Sequence, residues 1–275
     1  MNVSILSYTQ NPEQVVAAAA KTCYSNSTIS ELMDGLNEEN TMTFIRKLRT
    51  MGHKSPFEHA SFTFAIDGVS RSLLAQITRH RIASFSVQSQ RYVGMNGFNF
   101  VAPAAVQKNP YTLRIFDDMM DETNRAYQDI HAYLMSEYLR EKYKDVIPCD
   151  NPKYFYLSLD AHFDPRKGSD EYKSYRKVRN AAEKYANENA RCVLPNAATT
   201  RMIVTMNARE LMHFFSLRCC NRAQDEIRDL ADKMLELCKS VAPSLFEGTG
   251  APCMSGACPE GPMTCGHPRK SKEEK

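Results

Sequence analysis

The chain has 275 residues and a net charge of only +3, which argues against a general nucleic-acid binder and confines any basic function to a local cluster. Hydrophobic residues make up 43% of it, enough for a substantial core. No stretch approaches the roughly eighteen apolar residues of a membrane span, and no basic-then-apolar leader opens the chain. The nine cysteines are odd in number and scattered, which reads as reduced thiols in a cytoplasmic protein rather than a disulfide framework.

Residues 2–8 alternate weakly through Val3 and Ile5 and predict a short strand. Pro12 then opens an Ala-rich helix over 12–22, since proline suits the first helical turn. After a polar segment, Phe44, Ile45 and Leu48 mark a helix around 38–51 that ends at Gly52. Gly52 to Ala60 is punctuated by glycine and proline as a loop carrying His53, Ser55, Glu58 and His59. Residues 61–67 set Phe62, Phe64 and Ile66 against Ser61, Thr63 and Asp67, the period of a half-buried strand. Ser70 caps a short helix with Leu73, Leu74 and Ile77.

At the end of that helix begins an acid-free run from Thr78 to Tyr92 containing Arg79, His80, Arg81, Ser84, Ser86, Ser89 and Arg91. Guanidinium groups match phosphate or carboxylate bidentately, and hydroxyls add directed donors, so the run reads as an anion cradle or else as a solvated basic turn. Gln76 and Arg79, three apart, share a helix face. Residues 82–92 read as an irregular loop, and 98–103 as another short strand.

A long helix covers about 110–143, with Leu113, Phe116, Met120, Tyr127, Ile130 and Leu134 at helical spacing. The stretch 144–171 is rich in Pro, Asp and Lys and reads as an insertion or flexible lid. A helix near 171–192 brings Glu188 and Arg191 together at its end. The β-branched run 199–206 is strand-like. A helix from Asn207 to about 219 places Arg218 on the apolar stripe of Leu211, Phe214 and Phe215. A charge there is costly unless it meets an anion or a buried acid. Asn221 and Gln224, in capping-box spacing, precede a last helix with Ile227, Leu230, Ala231, Met234, Leu235 and Cys238. The division expected is one domain over 1–246, with 144–171 inserted, and a Cys/Gly/Pro-rich tail over 247–275. Cys253, Cys258, Cys265 and His267 of that tail match no common zinc spacing, so a mobile tail without metal is expected.

Collected, the polar residues at element ends include seven arginines: 79, 81, 91, 191, 209, 218 and 222. That is enough for two or three separate phosphates. No phosphate-binding glycine loop is present, so the reading is a site for phosphorylated nucleotides or a phosphorylated cofactor held by arginine. Alone, the 79–91 run also fits an RNA- or single-strand-binding module with Phe85 and Tyr92 as stacking surfaces; the near-neutral charge and the second arginine set at 191–222 argue against it.

Arg79-His80-Arg81, seven residues, then Ser89-Gln90-Arg91-Tyr92 resembles the signature of the flavin-dependent thymidylate synthases. Gly52-His53-Lys54-Ser55-Pro56-Phe57-Glu58-His59, Ala190-Arg191-Cys192-Val193-Leu194-Pro195, Asn207-Ala208-Arg209-Glu210-Leu211, Leu217-Arg218, and Ala223-Gln224 with Glu226-Ile227 resemble further family segments in matching order. Together they cover roughly 1–110 and 172–240. Two positions depart: Asp225 stands where the family often has Trp, and Val87 where some members carry an acid.

The resemblance implies an α+β fold, with an antiparallel or mixed sheet, flanking helices and a helical part. It implies reductive methylation of deoxyuridylate (dUMP) to thymidylate (dTMP), with 5,10-methylenetetrahydrofolate as carbon donor, FAD as cofactor and NADPH as reductant. It further implies a cytoplasmic homotetramer with active sites between subunits, without nucleic-acid or membrane partners. By position, Gln76, Ser89, Gln90, Arg91, Arg191 and Arg218 fall on nucleotide contacts, with Arg79 shared between nucleotide and flavin. Ser55, His80, Arg81, Asn207, Arg209, His213 and Arg222 fall on flavin contacts, His53 near the folate, and Glu188 where it orients arginines. Arg218, His53 and Ser89 are the expected catalytic group, Ser89 as a hydrogen-bonding residue. Cys219 and Cys220, beside Arg218, are the only obvious thiols for attack on the uracil ring, and the resemblance implies a reaction without one. His80, flanked by two arginines, is expected to be neutral.

Overall fold

The computed structural model of the protein describes residues 1–147, 151–163 and 169–269. Strand β1 (Asn2–Tyr8) leads to helices α1 (Pro12–Thr22), α2 (Ile29–Asp34) and α3 (Glu38–Thr50). A 3₁₀ turn at Ser55–His59 precedes β2 (Ser61–Ser70), which runs into α4 (Arg71–Ile77) and then β3 (Ala83–Val87). Next come α5 (Ala104–Gln107), the long α6 (Pro110–Tyr143), α7 (Phe155–His162) and α8 (Asp170–Ala190). Strand β4 (Thr199–Asn207) feeds directly into α9 (Ala208–Arg218), followed by α10 (Asp225–Val241) and α11 (Pro243–Phe246). The class is mixed α+β, with a small sheet and many helices. Among the described residues no helix is long and apolar enough to cross a membrane.

The chain forms two compact units. The first comprises Met1–Val87 with the described residues from Thr200 onward, and the second Gln88–Thr199. In the first unit the strands order as β1-β2-β4-β3. β1 runs antiparallel to β2 with Ile5 opposite Phe64, and its register slips between Ile5 and Ser7. β3 runs antiparallel to β4, Ala83 opposite Met206 and Val87 opposite Met202. The period-2 alternation sends Phe62, Phe64 and Ile66 of β2, and Met202, Val204 and Met206 of β4, into one buried face. On the other face the hydroxyls of Thr63 and Thr205 share a 2.9 Å hydrogen bond. The buried stripe of α10 (Ile227, Leu230, Ala231, Met234, Leu235, Cys238) joins that core together with Leu211, Phe214 and Phe215 of α9.

In the second unit Met135, Leu139 and Tyr143 of α6, Phe155 and Leu159 of α7, and Tyr175, Ala182 and Ala186 of α8 form one apolar cluster. The described part of 144–171 is therefore packed rather than loose. Ser136 Oγ donates to the Lys153 carbonyl at 2.9 Å and accepts from the Tyr156 amide at 3.2 Å. Asp160 accepts from the Tyr175 hydroxyl and from Arg179 Nε. Residues 148–150 and 164–168 of the expected insertion lie outside the described residues.

Four local expectations change. Residues 83–87 form a strand, not an irregular loop, because Phe85 and Val87 pair with β4 while Ser84 and Ser86 stay exposed. Phe98–Pro103 makes only a single bridge, Phe100 to Ala198. The polar segment after α1 holds α2, closed by a capping box in which Thr28 and Glu31 exchange bonds. Asn221 does not cap α10: Gln224 takes the N-cap position without a side-chain bond, and Asn221 donates to the His267 carbonyl at 2.7 Å instead.

Candidate active site

The first unit builds its polar cluster where α4 ends and α9 begins. At the head of α9, Asn207 Oδ1 accepts the Glu210 amide at 2.9 Å, an N-cap bond that satisfies one orphan donor of the helix. This holds the Glu210 carboxylate in the first turn, only 7% exposed. Its Oε1 lies 3.1 Å from Nδ1 of His80, itself 5% exposed. The other ring nitrogen, Nε2, accepts from Arg218 Nε at 3.2 Å. Arginine has no acceptor to offer. The hydrogen-bond network therefore assigns the proton to Nδ1, which donates to Glu210, and His80 is a neutral imidazole. Burial, more than any neighbour, pulls its pKa below the ordinary histidine value; the bond to Glu210 opposes this, and the charges of Arg218 and His213 reinforce it. The expected neutrality thus has a different main cause: desolvation and Arg218, not the flanking arginines. Phe214 seals one side, its ring edge-on at 4.9 Å.

Arg218 is half-buried on the α9 stripe. Besides His80 it reaches the Gln76 carbonyl at 3.4 Å. Among the described residues no carboxylate pairs with it, so the buried ion pair that its position also suggested does not form. Burial first, then the charge of Arg79, lower its pKa. Arg79 and Arg81 are exposed and likewise lack a carboxylate partner among the described residues.

The other expected residues of this unit are placed differently. Gln76 donates from its side chain to Gln224. His53 is half-buried after Gly52, whose positive φ of 73° suits the turn that ends α3, and its amide donates to the Leu48 carbonyl at 2.9 Å. Ser55 is exposed at the start of the 3₁₀ turn. Arg209 is already paired with Glu58. Arg222 donates to Glu260 at 2.7 Å and to the Met263 carbonyl at 2.9 Å. His213 is exposed, its ring 6.0 Å from that of His80. Cys219 is buried, and burial pushes its thiol pKa far up, so it is no thiolate at neutral pH. Of the departures noted above, Asp225 pairs with Arg228 on the surface, and Val87 ends β3.

Two acids carry structural weight that the sequence reading left unassigned. Glu210 follows its cap residue by three positions, the spacing that places an acid in a first helical turn. Glu226 accepts from the Ser70 amide at 2.7 Å and from its hydroxyl, fixing the start of α4. The described part of the tail is docked rather than free: Arg269 pairs with both carboxylate oxygens of Asp232 at 2.8 Å and donates to the Cys219 carbonyl. Among the described residues no group of three His, Cys, Asp or Glu side chains is arranged to hold a metal.

The second unit carries Ser89, Gln90, Arg91, Glu188 and Arg191. Glu188 Oε2 accepts from Arg91 Nε at 2.8 Å and from Nη2 at 2.7 Å. Ser89 Oγ accepts the Arg91 amide at 3.2 Å, a local turn that stiffens the segment. Gln90 is buried. Arg191, at the C-terminal end of α8, has no carboxylate partner among the described residues. Lys184 and Arg91 both approach the exposed Tyr92 ring, at 5.3 and 5.9 Å from its centroid.

The sequence matches the model of one protein family, described as thymidylate synthase complementing protein, over residues 4–244. It is 44% identical over 273 residues to the flavin-dependent thymidylate synthase of Clostridium tetani, covering 99% of this chain and 96% of that protein. It is 41% identical over 268 residues to that of Geobacter sulfurreducens, covering 97% and 94%. With that of Thermococcus onnurineus it shares 33% identity over 272 residues, 96% of this chain and 91% of the relative.

Proposed function

This chain belongs to the family of flavin-dependent thymidylate synthases, and from that premise we propose that it converts deoxyuridylate to thymidylate. In this reading 5,10-methylenetetrahydrofolate gives the carbon, FAD is the cofactor and NADPH its reductant, in a cytoplasmic homotetramer. The observation that carries the proposal is Arg218: a half-buried guanidinium with no acid partner among the described residues, aimed by a neutral histidine that a buried glutamate orients.

A flavin dinucleotide needs donors that are not already neutralised. Arg79 and Arg81 meet that need, so the residues fit the group. Arg209 and Arg222 start from pairs with Glu58 and Glu260 and would exchange or share them. Ser55 and His213 are exposed and available. His80 has both ring nitrogens engaged within the protein and serves as a support through Arg218. Asn207 uses its Oδ1 to cap α9 and keeps its Nδ2 to donate to the flavin. When bound and reduced, the flavin supplies the hydride that turns the transferred methylene into a methyl group.

The chain's own part is to hold the base and stabilise charge. Arg218 uses Nε–H on His80, which leaves Nη1 to donate to a carbonyl oxygen of the uracil. Negative charge that develops there as C5 becomes nucleophilic meets a fixed donor in a partly dry site. No cysteine adduct is required, and the protonated Cys219 cannot make one. Arg91, held by Glu188, is the phosphate clamp; Ser89, Gln90, Arg191 and Gln76 are further nucleotide contacts, which in the proposed homotetramer need not come from one copy of the chain. Ser89 donates and accepts hydrogen bonds; it does not attack. His53 faces the folate side. The C5 hydrogen leaves as a proton, so tritium release from C5-labelled deoxyuridylate tests the proposal directly. Release that requires the folate and NADPH, from a protein that turns yellow with FAD, is the expected result. A colourless protein that releases no tritium would overturn it.

A further inference from the structure

The first unit holds a second set of cations that the proposed reaction does not use. A cavity of about 290 Å³ is lined by Arg49, Lys54, Ser216, Thr249 and Ser255, with Met212 on its apolar side. Among the described residues no carboxylate lines it. Arg49 is half-buried and donates only to neutral acceptors: the carbonyls of Ser244 and Leu245 at 3.4 and 3.2 Å, and Thr249 Oγ1 at 3.4 Å. Burial lowers its pKa, with Glu247 opposing through space. That acid is already held by Arg46, through bonds of 2.6 and 3.2 Å. Lys54 is exposed and makes no ion pair among the described residues. Two positive charges thus face one cavity with no acid between them, an arrangement that an anion stabilises.

Thr249 supplies an independent sign. It is 7% exposed, and its oxygen accepts from Arg49, so its hydroxyl hydrogen is left to donate, with no acceptor among the described residues. The hydroxyls of Ser216 and Ser255 currently donate to the carbonyls of His213 and Pro252 and can rotate. Two glycines of the wall have positive φ, which suits glycine. A Cβ at Gly248, where φ is 61°, would stand 3.8 Å from Nη2 of Arg49, and one at Gly250 would press on Met254 Sδ at 3.1 Å.

We propose that this cavity binds a phosphate group, as the free ion or as a small phosphate monoester. An ammonium, a guanidinium and a hydroxyl give three donors of different direction, matching the terminal oxygens of a dianion better than the two of a carboxylate. The volume lies at the low end of the range for small-molecule pockets, about 300–1,000 Å³, so the ligand is small.

Crystals soaked in selenate test this, because selenium scatters anomalously and locates the anion without reference to activity. The expected result is a peak between Arg49 and Lys54 that disappears in Lys54→Glu and weakens in Thr249→Val. Lys54 is exposed, so its variant keeps the fold. Inorganic phosphate, phenyl phosphate and acetate then compete for the peak. Phenyl phosphate acting at about tenfold lower concentration than phosphate assigns a monoester, and equal potency assigns the free ion. No peak in the cavity, an undiminished peak in Lys54→Glu, or acetate competing as well as phosphate would each overturn the proposal.

Discussion

Glu210→Ala is the sharpest perturbation of the candidate site, because Glu210 touches no expected ligand. Removing the carboxylate leaves His80 Nδ1–H, 5% exposed as a residue, without its acceptor at 3.1 Å. An unsatisfied buried donor costs about 1–3 kcal/mol. At about 1.4 kcal/mol per tenfold, that lowers the folded-to-unfolded ratio by roughly 5- to 140-fold. The ring can escape part of this cost by moving its proton to Nε2, but then two donors face each other across the 3.2 Å contact with Arg218. Either outcome loosens the guanidinium to which the proposed function gives the developing charge, so turnover should fall by about tenfold or more, with a smaller change in KM. Glu210→Gln keeps an acceptor for Nδ1–H and should recover most of the stability and the tautomer. Urea unfolding followed by circular dichroism reads the first quantity, and tritium release at saturating deoxyuridylate reads the second. An alanine variant with native stability and native kcat would refute the relay. So would a glutamine variant as damaged as the alanine one.

Arg91→Ala should raise KM for deoxyuridylate far more than it lowers kcat, and Glu188→Gln should shift KM in the same direction by less, since it removes only the orienting partner; equal losses in both constants would sink the clamp. The Cys219→Ala, Cys220→Ala double variant should keep making thymidylate, because the Cys219 thiol is held protonated by burial; a folded but inactive double variant would restore a thiol mechanism. His80 and His131 both have pKa values lowered chiefly by burial. The unfolded chain therefore takes up protons first, near the ordinary histidine value of about 6.5, and stability should fall as the pH drops below that value. His131→Phe should flatten part of this slope in thermal unfolding from pH 8 to 5; an unchanged slope would count against it.

The longer helices and three of the strands were legible because their apolar spacing is local, whereas the short α2, α5, α7 and α11 were not. The β2 alternation, the α10 stripe and the Pro12 start need no distant partner to be read. β3 was not legible, since Ala83–Val87 is too short and too rich in serine to stand out, and its partner lies in β4. The capping box suggested by Asn221 and Gln224 failed for a related reason. Each side chain found a tertiary partner, His267 and Gln76, which outweighed the local pattern. The resemblance gave Arg79, His80, Arg81, Arg209 and Arg218 their expected ligands, but not how each side chain is held. That depends on which arginine has an acid, and pairs such as Arg209 with Glu58, 151 positions apart, leave no trace in spacing.

Charge pairing divides the seven arginines into two working groups. Arg91, Arg209 and Arg222 each rest on a glutamate: Glu188, Glu58 and Glu260. These pairs are partly exposed and contribute little stability, typically about 0–1 kcal/mol. Their use is geometric, since each holds a long side chain in one orientation before an anion arrives. Arg79, Arg81, Arg191 and Arg218 have no carboxylate among the described residues, so an arriving anion need not displace a protein acid from them. Within this second group Arg218 stands apart. It is the half-buried one, its proton-accepting neighbour is a neutral ring, and its pKa is lowered by burial and by Arg79. A cation kept under such strain gains most when negative charge develops beside it. Under the proposed function that meets the requirement for stabilising a transition state more than a ground state, and it gives a chain with so small a net charge a reason to leave positive charge uncompensated there.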